Sequence, residues 1–369
     1  MKILFDLSGC EHLHNAISIY GLRFLHGLKD NHYANIIILC NAQIYDYVQK
    51  LYPNYSCIKI SLRKEKKICS VLLNYLEWKK LVKGIDCDLI FVPHVFSPFF
   101  CFLKHRKVVM VFHDLQGLKI YNGIRLWICR FIYPLSLMRC TAVITISDFV
   151  KQEVHKIYPF ISQNKMHTIY NGVIIPNVEK EEFFMKKKYL LYVSSLMGYK
   201  NVITLLKAFN LIKDKIPHIL VIIGKPTDNW KRNALPFIKA EHLESRVYHV
   251  AEPVSDEVLA QYYHHAELFI HPSLMEGFGY TPVEAAMYGV PVLTNKETAL
   301  YEVTMGLLNY YESPTDEVAM SQQIMLLLQN PPTSDKLDEI SKLFQAQYNN
   351  QKQAEKLYKL LMSLNSKDK

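Results

Sequence analysis

Glycine and proline are scarce in this chain, and no apolar run is long enough to span a membrane. Only 13 of the 369 residues are glycine and 16 are proline, whereas half are apolar and 21% are charged. This balance excludes a collagen-like repeat and a disordered chain. The longest apolar stretch, residues 89–103, is short and is broken by Pro93, His94 and Pro98. The length instead predicts about two globular domains.

The sequence also lacks the cysteine spacing of a zinc or redox site. All eight cysteines fall in the first 140 residues, and no two of them form a Cys-x-x-Cys pair. Several stand in apolar runs, as Cys40 does, where a free cysteine acts as a small hydrophobe. Asp6 interrupts the first apolar run, which therefore differs from a secretion signal. We expect reduced thiols and a cytoplasmic protein.

The positive charge is confined to one half of the chain. Residues 1–185 contain 23 lysines and arginines against 14 acids, whereas residues 186–369 contain 20 of each. The net charge of +9 thus predicts an anionic partner for one domain only. No nucleic-acid-binding motif accompanies the charge, so we expect no nucleic acid. An anionic membrane surface fits the pattern.

Two segments of the first half combine basic with apolar and aromatic residues. The first is the cluster at residues 59–67 with the apolar run 71–78, and the second is residues 121–139. Such a composition is typical of a helix at a membrane interface. It is equally compatible with core helices whose charges face water. The basic residues are Lys59, Arg63, Lys64, Lys66, Lys67, Lys79, Lys80 and Lys83 in the first segment and Arg125, Arg130 and Arg139 in the second.

Short runs of Val, Ile and Leu alternate with segments of helical periodicity along the chain. The runs lie at residues 3–7, 35–39, 89–92, 108–112, 142–146, 190–193, 219–223, 268–270 and 291–293. Because continuous apolar runs are typical of parallel strands buried on both faces, the alternation predicts a doubly wound α/β fold. The pattern breaks between residues 174 and 188, which predicts two Rossmann-like domains at 1–175 and 185–345. The polar helix at 346–369 either packs on the surface or returns to the first domain.

One segment has the composition of an anion-binding loop. Residues 268–292 have the pattern of a strand, a glycine loop, a helix and another strand. The N-terminus of such a helix offers N–H groups and a positive dipole end to an anion. Thr281 and Glu284 have the spacing of a capping box with Thr281 as N-cap, and Gly289 ends the helix. Glu276 and Glu284 are both candidates to bind the hydroxyls of a sugar nucleotide. In the alternative, Glu276 is a solvated loop acid and Glu284 only caps the helix.

The sequence PSLMEGFGYTPVEAAMYGVPVL, in which Glu276 and Glu284 are separated by seven residues, closely resembles the signature of the retaining GT-B glycosyltransferases of group one, family four. Further segments resemble family motifs in the same order: VFHDL (111–115), ITISDF (144–149), IYNGV (169–173), LLYVSSLMGYKN (190–201), VSDEVL (254–259) and TNKETALYEV (294–303). The resemblance covers nearly the whole chain. It implies the GT-B fold, with an acceptor domain at 1–175 and a donor domain at 185–345 that face each other across a cleft.

The resemblance also implies roles for individual residues. Glu276 would contact hydroxyls of the donor sugar and Glu284 the ribose of the nucleotide. Lys200 would neutralise the departing diphosphate, and His113 would reach the sugar near the bond that breaks. Fixed positive groups lower the barrier to that departure, so we expect no metal and no cofactor. The backbone N–H groups that would bind sugar or diphosphate oxygens belong to Gly277, Phe278 and Gly279.

Other residues of interest also follow predicted strands. Gly224 and Lys225 follow the predicted strand at 219–223 and are candidates for the lining of the nucleotide pocket. His94 also follows a strand, but we place it outside the site. His264, His265 and His271 are expected to be surface or sheet-end residues. Many relatives carry an arginine near Ser195 or Tyr199 that this chain lacks. Neutralisation of the diphosphate would therefore depend more on Lys200.

The resemblance implies transfer of a hexose from a UDP- or GDP-sugar to an acceptor hydroxyl, with retention of configuration. The expected pathway is a bacterial surface polysaccharide, such as O-antigen or capsule, with a lipid-linked saccharide as acceptor. Two alternatives share the architecture: a sugar-nucleotide epimerase and a catalytically inactive scaffold protein. An inactive relative would be expected to have lost Glu276, Lys200 or His113, and all three are present.

Overall fold

A computed structural model describes residues 1–12, 16–29, 35–63, 68–94 and 106–364. The chain forms two compact units, Met1–Gly172 with Asn350–Lys369, and Val173–Asn349. In the described ranges, no helix is long and apolar enough to cross a membrane, and the cysteines form no disulfide.

The first unit contains a parallel sheet of seven strands in the order β3-β2-β1-β4-β5-β6-β7. Every residue of β1, β4 and β6 is buried, because helices cover both faces of the sheet centre. The strands are β1 (Ile3–Leu7), β2 (Ile36–Asn41), β3 (Ser56–Ile60), β4 (Leu89–Val92), β5 (Lys107–Phe112), β6 (Ala142–Thr145) and β7 (Met166–Thr168). The helices of this unit are α1 (Ala16–Leu28), α2 (Tyr45–Leu51), α3 (Ile68–Gly84), α4 (Gln116–Ile120), α5 (Ile124–Arg139), α6 (Asp148–Ile157) and α14 (Asn350–Ser363).

The second unit contains a parallel sheet of six strands in the order β10-β9-β8-β11-β12-β13. Its strands are β8 (Tyr189–Val193), β9 (Ile219–Ile223), β10 (Val247–Val250), β11 (Leu268–His271), β12 (Val292–Thr294) and β13 (Asn309–Tyr310). Its helices are α7 (Val202–Ile212), α8 (Leu235–Ala240), α9 (Asp256–His265), α10 (Tyr280–Met287), α11 (Leu300–Val303), α12 (Glu317–Gln329) and α13 (Ser334–Gln347). In both sheets the order reverses beside the first strand of the unit, as in doubly wound folds. The predicted α/β architecture with two parallel sheets is confirmed.

Helix α14 belongs to the first unit, although it follows the second unit in sequence. The Asn350 side chain donates a hydrogen bond of 2.8 Å to the carbonyl of Arg23 in α1. Gly27 of α1 lets the two helices approach, because a Cβ at this position would lie 2.6 Å from the Cβ of Ala354. The chain thus leaves the first unit after Gly172 and re-enters it at Asn350.

Candidate functional site

The glycine loop connects β11 to α10 at the carboxyl edge of the second sheet. Gly279 has a φ of +89° and is the N-cap of α10, so the helix begins at Tyr280. A side chain at Gly279 would be strained by this φ, and its Cβ would lie 2.9 Å from Leu300. The loop therefore requires glycine at this position.

The predicted capping box is wrong. Because the left-handed Gly279 starts the helix early, Thr281 is the second residue of α10 and caps nothing. Its hydroxyl instead lies 3.2 Å from Nδ1 of His271. Pro282 remains in the first turn, where a missing N–H costs no intrahelical hydrogen bond. The other end is as predicted, since Gly289 follows the C-cap residue Tyr288 and adopts a φ of +70°.

Glu276, in this loop, is the centre of a buried polar cluster. Its side chain is 9% exposed, and its Oε1 accepts hydrogen bonds from Lys200 Nζ at 2.6 Å and from His271 Nε2 at 2.9 Å. The backbone N–H of Glu276 donates to the hydroxyl of Thr298 at 2.9 Å. No hydrogen bond from the described parts of the chain reaches the second carboxylate oxygen, Oε2. The Glu276 carboxylate is therefore held in position through its Oε1 atom.

The cluster holds one negative and one positive charge near neutral pH. Burial alone would raise the pKa of Glu276, but Lys200 and His271 overcome this effect and hold the pKa at about 2. Burial lowers the pKa of His271, although Glu276 opposes the shift. A neutral His271 then donates through Nε2–H to Glu276, and its Nδ1 accepts from the Thr281 hydroxyl. The carboxylate is ionised and the imidazole is a neutral donor.

Asn201 joins the loop that carries Lys200 to the loop that carries Glu276. Lys200 ends a 3₁₀ turn after β8, and Asn201 follows it in the left-handed conformation, with a φ of +57°. The side-chain amide of Asn201 donates to the carbonyls of Pro272 at 3.1 Å and Pro314 at 2.7 Å. Asn201 occupies the N-cap position of α7 without making a side-chain cap hydrogen bond. It positions Lys200, a function that its sequence context did not reveal.

Three further residues predicted for this site, Gly277, Phe278 and Glu284, lie outside the hydrogen-bonded cluster around Glu276. Phe278 is buried, and its ring packs against Tyr280 and Tyr348, so that only its backbone remains for ligand binding. Gly277 lies between Glu276 and Phe278 in the same buried loop. Glu284 is half-buried on α10, and its Oε2 accepts a hydrogen bond of 3.4 Å from the Tyr263 hydroxyl.

Gly224 and Lys225 follow β9, as predicted. A side chain at Gly224 would collide with the carbonyl oxygen of Ser194, and the Gly224 carbonyl lies 2.8 Å from Nε2 of His249. The close approach of two strand ends therefore explains the glycine without a ligand. Lys225 is exposed.

His113 follows β5 at the carboxyl edge of the first sheet, where the sequence places it. Its Nε2 lies 2.7 Å from the carbonyl oxygen of Pro93, and its ring packs edge-on against Tyr20. Burial lowers the pKa of His113. The neighbouring Asp114 accepts a hydrogen bond of 2.9 Å from the backbone N–H of Gln116 and thus stabilises the start of α4.

One residue of the cluster was missed by sequence reasoning. His271 was expected to be a surface or sheet-end residue. It does end strand β11, but it is only 2% exposed and contacts Glu276 directly. The signal that could have revealed it is a polar residue at the carboxyl end of an interior strand, because such ends face the ligand site in open parallel sheets.

The chain contains one Asp-x-Asp triplet, Asp86-Cys87-Asp88. Both carboxylates contact residue 2, Asp86 through the Lys2 ammonium and Asp88 through the Lys2 backbone N–H at 2.7 Å. The triplet precedes β4, at the amino edge of the sheet. In the described part of the chain, no three His, Cys, Asp or Glu side chains are grouped so that they could hold a metal ion.

Comparisons with known proteins identify the family of this chain. The family model "Glycosyltransferase Family 4" matches residues 22–175, and "Glycosyl transferases group 1" matches residues 174–344. The O-antigen chain mannosyltransferase RfbU of Salmonella typhimurium is 26% identical over 326 residues, which are 85% of this chain and 87% of that protein. The O-antigen chain mannosyltransferase B of Escherichia coli is 26% identical over 62% of this chain and 64% of that protein.

A solved structure shows the same fold. Alr3699/HepE of Anabaena, crystallised with UDP and glucose, superimposes with a TM-score of 0.79 over 98% of this chain and 100% of that chain, at 16% identity. The two family models together extend from residue 22 to residue 344. This chain therefore belongs to the group 1 glycosyltransferases of family four and has the GT-B fold.

Proposed function

We propose that this glycosyltransferase transfers a hexose from a UDP- or GDP-hexose to an acceptor hydroxyl, with retention of configuration and without a metal ion. The observation that carries the proposal is the buried ion pair of Glu276 and Lys200 beside the glycine loop of α10. Relatives named as mannosyltransferases support a hexose, and a structural neighbour crystallised with UDP and glucose supports a nucleoside diphosphate donor. Retention is proposed from the family resemblance alone.

The ionised Glu276 suits recognition of a sugar. A carboxylate only accepts hydrogen bonds, and sugar hydroxyls donate them. Because Oε1 is held by Lys200 and His271, Oε2 keeps a fixed direction in which a hydroxyl can approach. Binding through a pre-positioned acceptor costs little reorganisation when the transition state forms.

Lys200 suits the departure of the nucleotide. When the bond between the anomeric carbon and the diphosphate oxygen breaks, the electron pair and its negative charge move to the diphosphate. The ammonium of Lys200, held 2.6 Å from Glu276, is a positive charge whose position is fixed before the reaction. Lys200 and the N-terminus of α10 would supply the stabilisation that a metal ion gives in other transferases.

We further propose that the acceptor is a lipid-linked saccharide in the synthesis of O-antigen or capsule. The relatives' names support a surface polysaccharide. Such an acceptor would bring the enzyme to the inner face of the cytoplasmic membrane, and the net positive charge of the first half of the chain favours that location. His113, in the same half, is proposed to contact the donor sugar.

A screen of nucleotide sugars tests the donor. Thermal unfolding is measured with UDP- and GDP-hexoses in the presence of EDTA, and a cognate donor should raise the melting temperature. Slow hydrolysis of that donor, in which water receives the hexose and the nucleoside diphosphate is released, then reports turnover. With an added acceptor, proton NMR of the transfer product reports its anomeric configuration. Conversion of the donor into an epimer would support the epimerase alternative, and binding without turnover would support the scaffold. An inverted product or a requirement for metal would contradict the proposed mechanism.

A further inference from the structure

Helix α5 has apolar side chains on two opposite faces. Its inner face is buried in the first unit through Cys129, Tyr133 and Leu137. Its outer face exposes Ile124, Trp127, Ile128 and Phe131, at positions i, i+3, i+4 and i+7. This spacing places them in one stripe along the helix. A surface helix of a globular protein normally has polar residues on that side.

The exposure of this stripe is large. Ile124 is 74% exposed, Trp127 is 65% exposed and Phe131 is 69% exposed. Contiguous exposed apolar residues on a soluble domain mark a contact surface more often than scattered ones do. The stripe therefore has the properties of a contact surface that binds another apolar surface.

The segment that contains the stripe carries charge of one sign. Residues 115–147 contain no aspartate or glutamate, and Arg125, Arg130 and Arg139 are exposed on α5, whereas Lys119 forms an ion pair with Glu153 of α6 at 2.7 Å. The guanidinium of Arg130 lies over the Trp127 ring, 5.5 Å from its centroid. Tryptophan and arginine with long apolar surfaces and polar tips are typical of the boundary between lipid tails and headgroups.

We propose that the outer face of α5 is the surface through which the first unit lies on an anionic bilayer. The proposal rests on the proposed function in so far as a lipid-linked acceptor requires the enzyme at a membrane. The apolar stripe would enter the interface, and the flanking arginines would contact acidic headgroups. Among possible occupants, an anionic lipid surface is the one that matches both the apolar stripe and the exposed arginines of α5, a helix that contains no acidic residue.

The other candidate segment fits less well. Trp78, in the apolar run at 71–78, is fully buried and donates a hydrogen bond of 3.0 Å to Asp6, so it cannot enter a membrane. Arg63 forms an ion pair with Glu77, 3.4 Å apart. Lys64, Lys66 and Lys67 lie outside the described residues. Helix α3 does expose Leu72 and Leu76, which makes it the appropriate comparison surface.

Tryptophan fluorescence can locate the contact. The chain has three tryptophans, and Trp78 and Trp230 are buried whereas Trp127 is exposed. The full-length protein is titrated with vesicles of phosphatidylcholine alone or mixed with phosphatidylglycerol, with and without brominated acyl chains. We expect a blue shift and quenching by brominated lipid with anionic vesicles only, both weakened by salt. Trp127→Phe should remove both signals while binding by sedimentation persists.

Variants test the stripe and the arginines separately. Trp127→Ser with Phe131→Ser, and Arg125→Ser with Arg130→Ser, should each lower sedimentation with anionic vesicles about tenfold or more. Phe184→Ser, at an equally exposed aromatic residue of the second unit, should not change it. Leu72→Ser with Leu76→Ser should have the smaller effect. Thermal unfolding verifies that each variant is folded.

Several outcomes would overturn the proposal. They are equal binding to neutral and anionic vesicles, no binding to either, and full binding by the two α5 double variants. Self-association without vesicles that the stripe variant abolishes would show that a second copy covers the face. Release of nucleoside diphosphate from the donor in solution, without vesicles, tests the proposed function separately. In this assay the α5 variants should release nucleoside diphosphate at the wild-type rate. If neither the wild-type protein nor any variant releases it, the transferase mechanism is refuted and the docking surface is not.

Discussion

Replacement of His271 tests how much the catalytic contribution of Glu276 depends on the hydrogen bond that His271 donates to it. His271→Leu removes one of the two hydrogen bonds to Oε1 and leaves the Lys200 contact in place. A hydrogen bond to a charged group contributes about 2 kcal/mol, which corresponds to roughly a thirty-fold change in a rate or an equilibrium. If Glu276 contacts the sugar in the transition state, kcat should fall by about that factor, and KM for the nucleotide sugar should change less.

The pH dependence gives the sign of the effect. The folded-state pKa of Glu276 is about 2, below the value of an unfolded chain, so ionisation contributes stability above the unfolded pKa and that stability is lost as pH falls through the folded pKa. Loss of His271 should raise the folded pKa. The acid side of the kcat/KM profile should therefore move to higher pH, and thermal unfolding should become more sensitive to acid.

Conservative variants distinguish positioning from simple packing. The side-chain amide of Gln in His271→Gln can donate to Glu276 and should restore part of the rate, whereas Thr281→Val keeps the imidazole and removes the hydroxyl partner at 3.2 Å. We expect the order wild type, Thr281→Val, His271→Gln, His271→Leu in kcat. Equal rates for His271→Leu and wild type, with an unmoved acid limb, would refute the reasoning.

Substitutions at Glu276, Lys200 and Glu284 test the other parts of the site. Glu276→Ala should lower turnover by orders of magnitude while the unfolding transition stays cooperative, and near-normal turnover would rule out the proposed sugar contact. Lys200→Met should lower stability by about 3 kcal/mol in chemical denaturation, because it leaves a buried carboxylate without its cation, and adding Glu276→Gln should recover part of that loss. Glu284→Ala should weaken nucleotide binding in calorimetry with little change in stability, since Glu284 does not take part in a capping box. A loss near 1 kcal/mol with unchanged binding would indicate a structural role instead.

The interior of both sheets could be predicted from sequence, but the sheet edges could not. Each of the nine apolar runs corresponds to an interior strand, whereas β3, β7, β10 and β13 are the four edge strands. Edge strands are half-exposed and carry polar residues, as in Ser56–Ile60 and Val247–Val250. They therefore lack the continuous apolar pattern that identifies a strand buried on both faces.

The site was predicted as separate residues and not as a cluster. Glu276 and Lys200 are 76 residues apart and were identified through separate motifs, neither of which contains information on the 2.6 Å contact between them. That contact depends on Asn201, whose left-handed backbone and buried amide join the two loops. The capping-box prediction failed for a similar reason. A Thr-x-x-Glu pattern is typical of a helix start. Here the left-handed backbone of Gly279 makes Gly279 the N-cap, so the helix begins at Tyr280.

Calorimetric titration measures the contribution of the sugar most directly. The difference in binding free energy between a cognate nucleoside diphosphate hexose and the nucleoside diphosphate alone isolates the contacts made by the hexose. The wild-type protein should bind the nucleotide sugar more tightly, and Glu276→Gln should lose that difference while binding the nucleoside diphosphate unchanged. A difference that persists in Glu276→Gln would contradict the assignment of Glu276 to the donor sugar.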